Sequence, residues 1–271
     1  MRKHLSTIIL ILVFITGLSL LLYPTVSDYW NSVFQSRAIA TYTEEVAQID
    51  NNIYEDLWEK AKEYNSALVR GDERFIFYEE EQIEYEGLLN VAGNGVMGYI
   101  QIPAINCSLP IYHGTSDEVL QIAVGHIEGS SLPVGGEGTH SVLSGHRGLP
   151  RAKLFTDLDK LIEGDVFTLQ ILDETLTYEV DKIWIVEPHE IENLGIEEGK
   201  DYCTLVTCTP YGVNSHRLLV RGTRIENLED APSIRVTADA VQIEPVLVAP
   251  MVAVPILFVL LIWLLVRYRK K

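Results

Sequence analysis

The chain has 271 residues, 38 of them acidic and 21 basic, for a net charge of −17. That surplus excludes a nucleic-acid partner, because a phosphate backbone is held by basic patches. Hydrophobic residues make up an ordinary 47%, but many are concentrated in two uncharged runs at residues 5–27 and 245–266.

In chain order, the first run follows Arg2 and Lys3, and the second precedes Arg267, Arg269, Lys270 and Lys271. As helices rising 1.5 Å per residue, each would span roughly 33 Å, enough to cross a hydrocarbon core. Basic flanks prefer the cytoplasmic side. The expected topology is two-pass, with both termini inside and residues 28–244 outside. A cleavable leader is the alternative reading of the first run. The only small-x-small site near it, Ala38-Ile39-Ala40, lies well past the run, so a retained helix is favoured. Prolines 250 and 255 inside the second run are compatible with a lipid-embedded helix.

Residues 36–69 read as helical: Ile39, Tyr42, Val46, Ile49, Ile53, Leu57 and Trp58 recur every three or four positions. Arg70-Gly71-Asp72 breaks that pattern. An irregular acidic connector is expected over 72–97, and a connector of that length often serves as a lid or hinge. Short strands follow, expected at 98–103, 109–112, 139–144, 166–172, 202–207 and 218–225. A further strand alternates Leu176, Tyr178 and Val180 with Thr177, Glu179 and Asp181. A helical turn is expected over 153–161. Short strands joined by Gly- and Pro-rich turns point to a closed barrel or a sandwich.

The candidate chemistry starts from three cysteines, Cys107, Cys203 and Cys208. An odd number in an extracytoplasmic segment leaves at least one free thiol. Cys208 ends an apolar strand at the turn Thr209-Pro210-Tyr211-Gly212, which gives it a rigid base and an exposed tip. Cys203, an odd number of residues earlier, should face the other way, and it and Cys107 read as small buried hydrophobes. A thiol needs a base or cation to attack a carbonyl. His146, flanked by Gly145 and Gly148, ranks first among the seven histidines. Acyl transfer also needs a donor at the developing oxyanion. Arg217 opens the strand after the Cys208 turn, and Arg221 and Arg147 are the other candidates.

At these residues the chain resembles the sortases. Thr204-Leu205-Val206-Thr207-Cys208 is similar to their TLxTC signature, Arg217 to their arginine, and Ser144-Gly145-His146-Arg147 to the segment carrying their histidine. His140 to Pro150, Gly135-Gly136-Glu137-Gly138 and Thr207 to Asn214 resemble class C, the pilin-assembling branch. The resemblance covers about residues 97–226 and implies a closed eight-stranded β-barrel. It also implies a cysteine transpeptidase that cleaves an LPxTG-like sorting signal between Thr and Gly. Cys208 would be the nucleophile, His146 the acid/base and Arg217 the oxyanion stabiliser. Pilin subunits and the membrane of a Gram-positive cell are the expected partners.

The organisation that follows is an anchor at 1–27, a helical segment and connector at 28–96, a catalytic barrel at 97–228, a linker at 229–244, a second anchor at 245–266 and a basic tail at 267–271. No cofactor or metal is expected, since the acidic stretches lack a calcium-loop spacing. The resemblance also implies a lid bearing Asp-Pro-aromatic. No Asp-Pro occurs in the connector, so the lid is either missing or of another kind. A housekeeping sortase acting on peptidoglycan and a non-catalytic pilin scaffold are the alternative functions.

Overall fold

The computed structural model describes residues 2–68, 72–75, 79–150, 152–227 and 258. The second apolar run, apart from Phe258, and the linker before it lie outside those residues.

The first apolar run and the helical stretch after it form one helix, α1 (Arg2–Val46), with Pro24 inside it. Asp28, Gln35, Ile39, Tyr42 and Val46 fall on one face by their spacing. This face docks on the rest of the chain through ordered hydrogen bonds. Asp28 Oδ1 accepts from the Lys153 backbone at 2.9 Å. Gln35 Nε2 donates to the Ile122 carbonyl at 2.7 Å. The Tyr42 hydroxyl donates to the Met97 carbonyl and accepts from Leu172 N.

The helix expected over 36–69 is therefore two helices. Residues 47–50 turn between α1 and α2 (Asn51–Ala67), and the Asp50 side chain caps α2 by accepting from Asn52 N. α2 is held by Asn65, whose amide exchanges hydrogen bonds with both backbone groups of Leu132.

The connector expected to be irregular carries a 3-10 turn, Asp72–Phe75, and α3 (Glu79–Gly87). α3 is rich in glutamate, a good helix former. It was not visible as an amphipathic repeat because one side chain, Tyr85, does its docking. The Tyr85 hydroxyl meets His126 Nδ1 at 2.9 Å and accepts from Gly114 N.

Eight strands then close a barrel: β1 (Val96–Ile102), β2 (Cys107–His113), β3 (Val124–His126), β4 (Thr139–Ser144), β5 (Val166–Ile171), β6 (Glu174–Val186), β7 (Asp201–Thr209) and β8 (His216–Ile225). A short helix, α4 (Asp117–Leu120), precedes β3. The ring order is β1-β2-β3-β4-β7-β8-β6-β5. The pairs β2–β3 and β4–β7 are parallel and the rest antiparallel.

Inward residues such as Ile100, Leu143, Phe167, Tyr178, Cys203, Leu205 and Val220 fill the barrel. Each buried aliphatic or aromatic side chain contributes about 1.5–3 kcal/mol. The short helix or helical turn expected within 153–161 is a 3-10 turn, Leu158–Lys160.

Candidate active site

Cys208 and Arg217 are directly opposed in the antiparallel register of β7 and β8, so their side chains leave the same face of the sheet. His146 lies in the segment that follows the neighbouring strand, β4. β4 runs parallel to β7 with Ser144 beside Val206, and Gly145 N donates to the Val206 carbonyl at 3.0 Å. Continued by two residues, that register brings His146 level with Cys208. Cys208 and Arg217 thus stand on adjacent strands and His146 just past the end of β4, on the other side of β7, all half-buried.

The His146 segment is fixed from several sides. Thr207 Oγ1 donates to the Gly145 carbonyl at 2.7 Å. The His146 carbonyl accepts from Phe155 N. At Gly145 any Cβ would sit 2.7 Å from the Phe155 ring, so no larger residue fits there. The Arg217 guanidinium donates to the carbonyls of Asn214 and His216 at 3.2 and 3.1 Å.

The other two arginines are engaged elsewhere. Arg147 pairs with Asp159 and lies over the Tyr211 ring. Arg221 is buried, bonded to Asp181 and stacked 3.9 Å from the Tyr202 ring.

All three cysteines are free thiols. Cys203 points into the barrel core, on the opposite face from Cys208 as its odd spacing predicts. Burial pushes the Cys107 thiol up to about 12 and raises the Cys203 thiol as well. Cys208 is the one cysteine that is not buried.

Val206 and Leu219, two residues from Cys208 and Arg217, continue that face into an apolar floor with Val142 and Val186. The β6–β7 loop contributes Leu194 and Ile191, and Phe75 packs on top. Phe75 arrives from the Asp72–Phe75 turn. There the Arg74 guanidinium stacks 4.6 Å from the Phe75 ring and donates to the Leu194 carbonyl. Gly129, with φ +79°, admits this segment: a Cβ there would collide with the Arg74 carbonyl. An aromatic side chain therefore covers the floor beside Cys208 without the Asp-Pro-aromatic motif.

Sequence reasoning passed over the residues that brace this floor. His140 is buried between Gly195 and Thr204. The Gly195 carbonyl only accepts, so Nδ1 carries the proton and Nε2 accepts from the Thr204 hydroxyl at 2.7 Å. Burial, aided by the positive charges of Arg74 and Arg221, holds His140 down at about 4. The threonines of the TLxTC run thus have tasks of their own: Thr204 anchors the loop through His140, and Thr207 anchors the histidine segment.

Thr209 and Leu218 lie one residue from Cys208 and Arg217 and face the other side of the sheet. With Arg147, Leu158, Asp159, Leu161, Ile183 and Ile185 they line a cleft of about 580 Å³. Among the described residues no three His, Cys, Asp or Glu side chains gather so as to hold a metal ion.

Comparison with known proteins yields one family model, the sortase domain, matching residues 100–225. Sortase C1 of Streptococcus agalactiae is 52% identical over 70% of this chain and 99% of its own, with a TM-score of 0.66. A sortase C structure from Streptococcus pneumoniae is 44% identical, covering 70% of this chain and 97% of its own, with a TM-score of 0.63. Sortase D of Bacillus subtilis is 33% identical over 47% of this chain. The chain spans 63% of that relative's length, just under two thirds.

Proposed function

Because the chain belongs to the sortase family, in its class C branch, we propose that it is a membrane-anchored cysteine transpeptidase that joins pilin subunits. The observation that carries this reading is the direct opposition of Cys208 and Arg217 across two strands, with the His146 segment pinned beside them. Nucleophile, acid/base and oxyanion donor then share one peptide bond.

The Cys208 thiolate attacks the carbonyl carbon of the Thr–Gly bond in an LPxTG-like signal. Arg217 meets the negative oxygen of the tetrahedral intermediate. The C–N bond breaks as protonated His146 gives its proton to the departing glycine amine, leaving a thioester on Cys208. A lysine amine of a second pilin attacks the thioester, His146 takes its proton, and an isopeptide bond forms as the thiolate departs. Pilin substrate specificity is described for the sortase C of S. pneumoniae, which supports pilins as the substrates. The apolar part of α1 serves as the anchor, being the one described helix long and apolar enough to cross a membrane.

The test is to incubate the full chain in detergent with a sorting-signal pilin and, as competing acceptor, a cell-wall cross-bridge amine, and to read products by mass spectrometry. A thioester at Cys208 and a Lys–Thr isopeptide are expected, both lost in Cys208→Ala. Transfer only to cell-wall amines would reject the pilin assignment, and a missing thioester would reject the enzyme.

A further inference from the structure

We propose that the Cys208 end of the barrel rests on the surface of the lipid bilayer and the opposite end points away from it. The inference depends on reading the apolar part of α1 as a membrane span.

α1 runs unbroken from residue 2 to 46, so no slack separates span from barrel. Its first charge after the apolar run is Asp28, and Asp28 already holds Lys153, in the loop that follows His146. Farther along α1, Gln35 meets Ile122, and then Tyr42 meets Met97 and Leu172. Met97 begins β1 and Leu172 sits in the β5–β6 turn, both at the end of the barrel remote from Cys208. From Asp28 to Tyr42 the helix rises about 21 Å. The barrel is therefore threaded onto α1 with its Cys208 end nearest the span.

Exposed side chains agree with this polarity. Tyr23, Tyr29 and Trp30 are exposed on α1 around Asp28, and such rings settle at the headgroup level. Within residues 96–227, the exposed large hydrophobics are Ile122, Ile162, Ile185, Tyr211 and Val213. Ile162 precedes β5, Ile185 lies near the end of β6, and Tyr211 and Val213 form the β7–β8 turn, all at the Cys208 end. Ile122 stands beside Gln35. Within residues 96–227 the remote end exposes no large hydrophobic; the helices packed near that end, α2 and α3, expose Ile53 and Ile83 singly. An apolar rim on an otherwise acidic body fits a lipid surface.

Single spin labels test this in the full chain carrying Cys208→Ala, where Cys107 and Cys203 are buried and unreactive. Labels go at the rim through Ile162→Cys and Val213→Cys, and at the remote end through Glu137→Cys and Glu174→Cys. The chain is reconstituted in phosphatidylcholine vesicles containing nickel-chelating lipid. Relaxation by nickel is expected to be several-fold stronger at the two rim positions. Equal or stronger relaxation at the remote positions overturns the proposal. Failure of the chain to float with the vesicles after carbonate washing overturns instead the reading of α1 as a span.

Discussion

Thr207 shows how a single hydroxyl can hold the geometry of the proposed site. It lies beside the proposed nucleophile, yet its bond goes to the carbonyl preceding His146. Thr207→Val keeps the shape and removes a bond of about 1 kcal/mol. Turnover should fall roughly 10- to 100-fold, because small misplacements of a catalytic group are costly. Labelling of Cys208 by a small thiol reagent should continue, and this pair of rates checks the claim. Arg217 is the proposed oxyanion donor, and on that proposal Arg217→Ala should slow thioester formation roughly 10²- to 10³-fold in a single-turnover assay. Cys208, His146 and Arg217 were legible as candidates because each sits at a strand end beside a turn. Thr207 and His140 were not, since their roles depend on which strands pair, and β4 beside β7 is a non-local, parallel match.

At the scale of elements, the Asp72–Phe75 turn is the piece most exposed to test. Phe75 packs on the floor that leads to Cys208, and its backbone approach depends on Gly129. Phe75→Ala should speed modification of Cys208 by a bulky thiol reagent while leaving the barrel's melting temperature nearly unchanged. Gly129→Ala should also speed that modification but lower the melting temperature, at a cost of about 1–2 kcal/mol from a side chain forced into the left-handed region. Modification rates and thermal melts separate the two.

The turn was expected only as part of an irregular connector, since Arg74 and Phe75 act through tertiary contacts that leave no periodic trace. β3 was missed for a similar reason. Three residues, Val-Gly-His, are too few to show alternation, and the strand exists because β2 and β4 flank it. The long alternating strand β6 and the apolar β7 were legible from pattern alone.

For the whole molecule, three buried histidines tie stability to pH; burial holds His113 below its ordinary value, and two others lie lower still. His126 and His140 are both held down at about 4, chiefly by burial. An unfolded histidine binds a proton near 6.5, so the stabilisation is complete above that pH and is lost as the pH falls toward 4. Each group accounts for at most about 3 kcal/mol. Thermal unfolding of the detergent-solubilised chain should therefore weaken steeply between those values, and His140→Gln should flatten the slope. A flat profile in the parent chain would contradict the buried neutral state. The closure of the eight-strand ring has a consequence of another kind. Proteins confined to a plane collide far more often than the same number free in three dimensions, and sheets with unpaired borders zip together when they meet. Here every border strand has found its neighbour within the same chain. Crowding should therefore not drive neighbouring copies to pair sheet edge to sheet edge.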